Sequence, residues 1–150
     1  MSISINEINV RELLPQQPPF VMVDRLLSCD DKSSVTELEI RSDNVFFGED
    51  CLLTAGLVEN IAQTCAAGIG YRNMNRSGSI KIGVIGALNN LEVNRLPKNG
   101  EKITTTVNCV EEVFQMMMFD AVVKSGEEVL ATTSIKTALT DIEAKNEGDE

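Results

Sequence analysis

The chain has 150 residues, 43% of them hydrophobic, which predicts one globular domain with a core of its own. Its formal net charge of −10 argues against nucleic acid or an anionic membrane as the main partner, because both are bound through basic surface. The absence of histidine excludes Ser–His–Asp and Cys–His triads, H-E-x-x-H zinc sites and any histidine general base.

The first half of the chain predicts two helices and two strands. A short helix is expected over Asn6–Leu14, where apolar residues have helical spacing and Pro15 ends the segment. Two strands follow over Phe20–Cys29 and Ser34–Arg41, joined by a polar turn. Thr54–Tyr71 has the strongest helical pattern, and its many small residues would let a sheet approach the helix axis closely.

The second half predicts strands separated by turn signals. They are expected over Ile80–Val93, Lys102–Val110, Phe114–Val123 and Glu128–Leu139. One antiparallel sheet around a single long helix is an α+β hotdog fold, and its open sheet edge predicts a dimer that covers the edge. We expect this domain to span residues 1–140, with an acidic disordered tail over 141–150.

Compartment and cofactors are predicted from what the sequence lacks. There is no basic start followed by an apolar run, and no apolar stretch of about 20 residues that could span a membrane. The four cysteines have no C-x-x-C spacing and are predicted to be reduced thiols with mainly buried, apolar roles. We therefore expect a cytoplasmic protein with neither cofactor nor metal.

Two segments carry a resemblance to a known family. Leu14–Arg25 reads LPQQPPFVMVDR and resembles the opening LPHxxPF-[LV]-[LM]-VDR motif of FabA/FabZ-type 3-hydroxyacyl-[acyl-carrier-protein] dehydratases. Gly56–Thr64 reads GLVENIAQT and is similar to the E-x-x-AQ start of their central helix. A narrower likeness, at Ile82–Ala87, is to the divergent dehydratase-like proteins of aryl polyene and related pigment-lipid pathways. Together these features cover roughly residues 10–140.

The resemblance implies roles for particular residues. In the family, the histidine of the first motif removes a proton next to the thioester carbonyl, and a central-helix carboxylate from the other subunit protonates the departing hydroxyl. Carried over, the acid is Glu59, Gly56 lies near the amides that hold the enolate oxygen, and the base position is Gln16. A carboxamide does not exchange protons near neutral pH, so Gln16 is expected to be inactive as a base.

Further candidates lie around these positions. The segment Phe46–Leu53 is shorter than its family counterpart and lacks a G-H-F-P element, which predicts a rebuilt substrate mouth. Phe20, Phe46 and Phe47 are candidate substrate-binding residues, although the last two could equally be plain core. Gln63 could bind substrate, orient Glu59 from one turn away, or bond nearby backbone.

Two groups of basic residues could bind an acidic carrier protein or a coenzyme A phosphate, or could be solvated surface. They are Arg72, Arg76 and Lys81, and Arg95, Lys98 and Lys102.

Three functions remain open at this point. The first is an impaired or partner-dependent 3-hydroxyacyl thioester dehydratase of fatty acid or polyene lipid biosynthesis. It would act on acyl carrier protein or acyl-CoA thioesters as a homodimer or as a heterodimer with another hotdog subunit. The second is an acyl thioesterase that uses Glu59. The third is a non-catalytic acyl-binding or scaffold subunit.

Overall fold

The computed structural model describes residues 4–74 and 81–143. Its elements are, in chain order, two 3-10 turns (Ile5–Glu7 and Val10–Glu12), β1 (Arg25–Cys29), β2 (Ser33–Glu39), α1 (Thr54–Met74), β3 (Lys81–Val93), β4 (Lys102–Val113), β5 (Met116–Ser125) and β6 (Glu128–Glu143). The strands form one antiparallel sheet in the order β1-β2-β4-β5-β6-β3. The predicted α+β arrangement of one long helix against one antiparallel sheet is confirmed.

Near the start of the chain, one predicted element is wrong and another begins later than predicted. The expected helix over Asn6–Leu14 is instead a pair of 3-10 turns, because the Asn9 side chain accepts a hydrogen bond from the N–H of Arg11 and so starts a new turn. The strand expected from Phe20 begins only at Arg25, because the backbone of Phe20 and Met22 bonds to side chains of the long helix instead of to a neighbouring strand.

The long helix α1 is enclosed from two sides. Toward the sheet, Leu57, Ile61 and Cys65 belong to the main core cluster together with residues of the strands. On the other side, the N-terminal segment forms a second cluster, which consists of Val10, Leu13, Leu14, Val23, Leu26 and Ala67. A helix buried in this way depends on tertiary packing more than on its own propensity.

Two glycines of α1 let both neighbours approach closely. A Cβ atom at Gly68 would overlap the Ser34 hydroxyl on β2, and one at Gly70 would overlap the backbone carbonyl of Leu13. The small residues seen in the sequence therefore serve close contact on both sides of the helix.

Strand β6 extends beyond its predicted end. It continues to Glu143, which pairs with Lys81 at the start of β3. The strand therefore includes the first three residues of the predicted tail, and the rest of that tail, residues 144–150, lies outside the described residues. In the described part of the chain, no helix is both long enough and apolar enough to cross a membrane.

The cysteines differ in burial. Cys65 is buried, and burial raises the pKa of its thiol, which fits the predicted role as an unreactive apolar group. Cys29, Cys51 and Cys109 are only partly buried, so these three are less buried than predicted.

Arg95 joins the β3–β4 connection to the β5–β6 turn through charged hydrogen bonds. Its guanidinium donates to both carboxylate oxygens of Glu101, at 2.8 and 2.9 Å, and to both oxygens of Glu128, at 2.9 and 3.1 Å. Glu101 also accepts from the Ser125 hydroxyl at 3.0 Å. Arg95 is thus neutralised within the fold. It is not a free cation for a carrier protein, although the sequence had suggested that role as one alternative.

Among the other basic residues proposed to bind a carrier protein, Arg76 lies outside the described residues.

The cluster around Arg95 predicts a pH-dependent contribution to stability. Hydrogen bonds from Arg95 are the main cause that lowers the pKa of Glu101 to about 2. A lowered carboxyl pKa stabilises the fold above the unfolded value of about 4.3, and the stabilisation is lost as the pH falls through about 2. Glu101→Gln should therefore cost about 1–3 kcal/mol at pH 7, and the difference from the wild type should shrink below about pH 4.

Urea unfolding from pH 7 to pH 2 measures this difference. Glu127→Gln is the matched control, because Glu127 is exposed and makes no ion pair among the described residues. A difference between wild type and Glu101→Gln that stays constant across this pH range would contradict the prediction.

Candidate active site

Two carboxamides of α1 hold the segment that precedes β1. Gln63 Oε1 accepts from the Met22 N–H at 2.7 Å, and Gln63 Nε2 donates to the Phe20 carbonyl at 2.8 Å. Asn60 Nδ2 donates to the Met22 carbonyl at 2.7 Å. Both carboxamide side chains are 0% exposed. Residues 20–22 are therefore fixed against the helix by side-chain bonds in place of strand pairing.

The sheet supports these carboxamides from the other side. Thr105 on β4 donates to Asn60 Oδ1 at 2.6 Å. Thr64 donates to the Asn60 carbonyl and shares a hydrogen bond with Thr36 on β2, both at 2.7 Å. A buried polar network in which the members are paired is rigid, so it fixes the depth and rotation of this part of α1.

Glu59 is attached to the same network. Its Oε1 accepts a hydrogen bond from Gln63 Nε2 at 3.0 Å, and the residue is only partly buried. Gln63 therefore combines two of the roles considered for it, because it bonds nearby backbone and also contacts Glu59. Direct binding of substrate by Gln63 is not supported, because its side chain is enclosed and both of its N–H groups are in use.

Gln16 takes no part in this network. Its Oε1 is buried and has no hydrogen-bond partner in the described residues, and no hydrogen bond joins it to Glu59 within this part of the chain. The expectation that positions 16 and 59 meet concerns Gln16 of one subunit and Glu59 of another, and it stays a prediction.

The first turn of α1 leaves two backbone donors free. The N–H of Gly56 already donates to the Leu53 carbonyl at 2.9 Å, and a Cβ at Gly56 would lie 2.8 Å from Leu52 and 2.9 Å from Phe46. Gly56 is thus a close-packing position. The exposed Thr54 and Ala55 have N–H groups with no acceptor in the described residues, as is usual for a helix start. These two amides, and not that of Gly56, are available to an oxyanion.

The segment before α1, Phe46–Leu53, is a tight loop. Its ends are joined by a hydrogen bond of 2.9 Å from the Leu53 N–H to the Phe46 carbonyl, and Leu52 donates to the Pro97 carbonyl at 2.9 Å. The bond from Leu52 holds the loop against the turn between β3 and β4.

The three candidate aromatic residues divide into two groups. Phe46 and Phe47 are partly buried and pack against the main core, as the core interpretation expects. Phe20 is 53% exposed, and its backbone is held by Gln63. Phe20 is therefore the one of the three with a largely free side chain.

The site combines a positioned carboxyl with backbone donors on one helix. Glu59 can donate or accept a proton, and the free amides at the start of α1 can stabilise negative charge. Sequence reasoning found Glu59 and Gln63 but gave no role to Asn60 or Thr105. The one available signal was an asparagine among the apolar residues of an otherwise buried helix pattern.

The fold is a hotdog fold, and the family model that matches the chain belongs to the dehydratase class. The model of the ApeP-like family, described as ApeP dehydratase, matches residues 8–147, and the chain belongs to this family. The solved dehydratase heterocomplex ApeI:P from Xenorhabdus doucetiae is similar in structure, with a TM-score of 0.80, 15% identity, and coverage of 89% of this chain and 92% of that one.

A sequence relative and a further solved structure are also similar to this chain. The 3-hydroxyacyl-[acyl-carrier-protein] dehydratase FabZ of Caldanaerobacter subterraneus is 26% identical over 133 residues, which is 85% of this chain and 92% of that protein. A hypothetical thioesterase from Streptococcus pneumoniae, solved with coenzyme A, shares the fold with a TM-score of 0.62 at 12% identity, over 77% of this chain and 84% of that one.

Proposed function

We propose that this chain is a subunit of a 3-hydroxyacyl thioester dehydratase that depends on a second hotdog subunit for its general base. The observation that carries the proposal is a carboxyl, Glu59, held by an enclosed carboxamide in a chain that contains no histidine. The site can supply a general acid. Apart from carboxylates, it has no side chain that could act as a general base near neutral pH.

The proposed chemistry divides the two proton transfers between subunits. A base on the partner removes a proton from the carbon next to the thioester carbonyl, and the electrons move onto the carbonyl oxygen. The amides of Thr54 and Ala55 stabilise that charge. Glu59 then protonates the β-hydroxyl, the carbon–oxygen bond breaks, and water leaves behind a carbon–carbon double bond. Gln16 cannot replace the base, because an amide does not take up a proton near neutral pH.

The relatives support both halves of this proposal. The matched FabZ proteins are named as dehydratases of acyl-carrier-protein substrates, so the substrate is proposed to be a 3-hydroxyacyl group on a carrier protein or coenzyme A. The similar solved structure is described as a heterocomplex, which favours a heterodimer over a homodimer. We place the reaction in fatty acid or aryl polyene lipid biosynthesis.

Turnover by separate and mixed subunits tests the proposal. Dehydration of a 3-hydroxyacyl carrier-protein substrate is followed by absorbance of the enoyl thioester. Because a missing general base costs about 10²–10⁴ in rate, the chain alone should be at least about 100-fold slower than its mixture with a histidine-containing hotdog partner. Turnover by the chain alone at the rate of the mixture would contradict partner dependence.

Thioester hydrolysis is the second candidate. It is favoured by the same observation, since Glu59 could activate water or attack the thioester with no histidine present. Release of free thiol from an acyl-CoA panel, lost in Glu59→Ala, would support it. Acyl-ligand binding that is unchanged in Glu59→Ala, with no turnover in any mixture, would instead indicate a scaffold.

A further inference from the structure

The hydrogen bonds of Gln63 fix which end of its carboxamide faces Glu59. The Met22 N–H can only donate and the Phe20 carbonyl can only accept, so Gln63 Oε1 must face the former and Nε2 the latter. A flipped amide would place donor against donor and acceptor against acceptor, which costs several hydrogen bonds in a buried position. The second N–H of Nε2 is therefore always the group presented to Glu59.

We propose that Gln63 is a positioning residue that keeps Oε1 of Glu59 as a hydrogen-bond acceptor and leaves Oε2 as the oxygen that exchanges protons with substrate. Oε1 of Glu59 accepts a hydrogen bond from the Gln63 N–H at 3.0 Å. A proton on Oε1 directed at that N–H would place two hydrogens against each other. The neutral acid therefore holds its proton on Oε2, and the carboxylate receives it back there. The identity of the substrate rests on the proposed function, whereas the assignment of the two oxygens does not.

Asn60 provides the comparison that separates positioning from structural support. Like Gln63 it is 0% exposed and bonds the Met22 backbone. Unlike Gln63, it makes no hydrogen bond to Glu59 in the described residues, because its other partner is Thr105. Removal of either carboxamide should destabilise residues 20–22, but only the loss of Gln63 removes a donor from the carboxyl.

Side-chain amide resonances test the contact without any enzyme assay. In ¹⁵N–¹H spectra of the intact chain, the Gln63 Nε2 protons should shift with pH in a single step that reports the ionisation of Glu59. The step should vanish in Glu59→Gln and persist in Asn60→Ala. Gln63 protons that show no pH step, or the same step in Glu59→Gln, would overturn the proposal.

Turnover by the complex with the partner subunit tests the consequence. Gln63→Met, which keeps length but has no donor, should lower kcat by about 10–100-fold with little change in KM and should displace the pH profile of kcat. Asn60→Ala should lower stability yet leave that profile in place. Equal effects of both variants on the profile would overturn the positioning role. Absence of turnover in the wild-type mixture would instead refute the proposed function, and the resonance test would still decide the contact.

Discussion

Glu59→Gln is expected to reduce the kcat of the complex with its partner by about 10²–10⁴-fold. The substitution replaces the one partly buried carboxyl of the site with an amide that neither donates nor accepts a proton. It keeps the shape of the side chain and an oxygen that can accept a hydrogen bond from Gln63 Nε2. In the wild type, Gln63 Nε2 donates to Glu59 Oε1 at 3.0 Å. Substrate binding and the fold should therefore remain close to those of the wild type.

Steady-state kinetics and thermal unfolding together check this result. Glu111→Gln is the matched control, since Glu111 is an exposed carboxylate on β4, and it should leave both measurements unchanged. A Glu59→Gln complex that turns over within about threefold of the wild type would remove Glu59 from the chemistry.

Gly70→Ala is expected to lower the free energy of unfolding by about 3 kcal/mol or more. The added methyl group would overlap the carbonyl oxygen of Leu13, and a backbone atom cannot turn aside as a flexible side chain can. Helix propensity alone predicts the opposite sign, because alanine is favoured over glycine by about 1 kcal/mol inside a helix. The sign of the measured change therefore distinguishes packing from propensity.

Chemical denaturation of the purified chain gives this quantity. Gly86→Ala is the control, because a Cβ at Gly86 would lie 3.7 Å from its nearest neighbour, an ordinary contact. It should change stability by less than about 1 kcal/mol. A Gly70→Ala variant as stable as the wild type would mean that the N-terminal segment does not pack against α1.

The sequence predicted the elements whose patterns are local. The helix from Thr54 was evident from apolar residues at helical spacing, and the strands of the second half from alternation and turns such as the one at Gly126, whose φ is +60°. The segment Phe20–Asp24 has the same apolar character as a strand. Its true state depends on Asn60 and Gln63, which lie about 40 residues away, and no local signal reveals that pairing.

The candidate site was predictable in the same uneven way. Glu59 and Gln63 were found because they match a short motif. Their hydrogen bond could be predicted from helical spacing, because residues four apart are neighbours on a helix. The resemblance placed the amide donors only near Gly56, since a motif does not show which N–H groups the first turn of α1 already uses. The partners of Arg95 depend on the sheet register and could not be paired from sequence.

The two glycines of α1 also give the helix a structural role as a spacer of fixed thickness. Gly68 faces Ser34 on the sheet and Gly70 faces Leu13 on the N-terminal segment, so the separation of these two layers equals the width of a bare helix backbone. That segment continues into the residues that Gln63 holds beside Glu59. The placement of the carboxyl is therefore set in part by two missing methyl groups about two and a half to three helical turns away, roughly 14–16 Å along the axis.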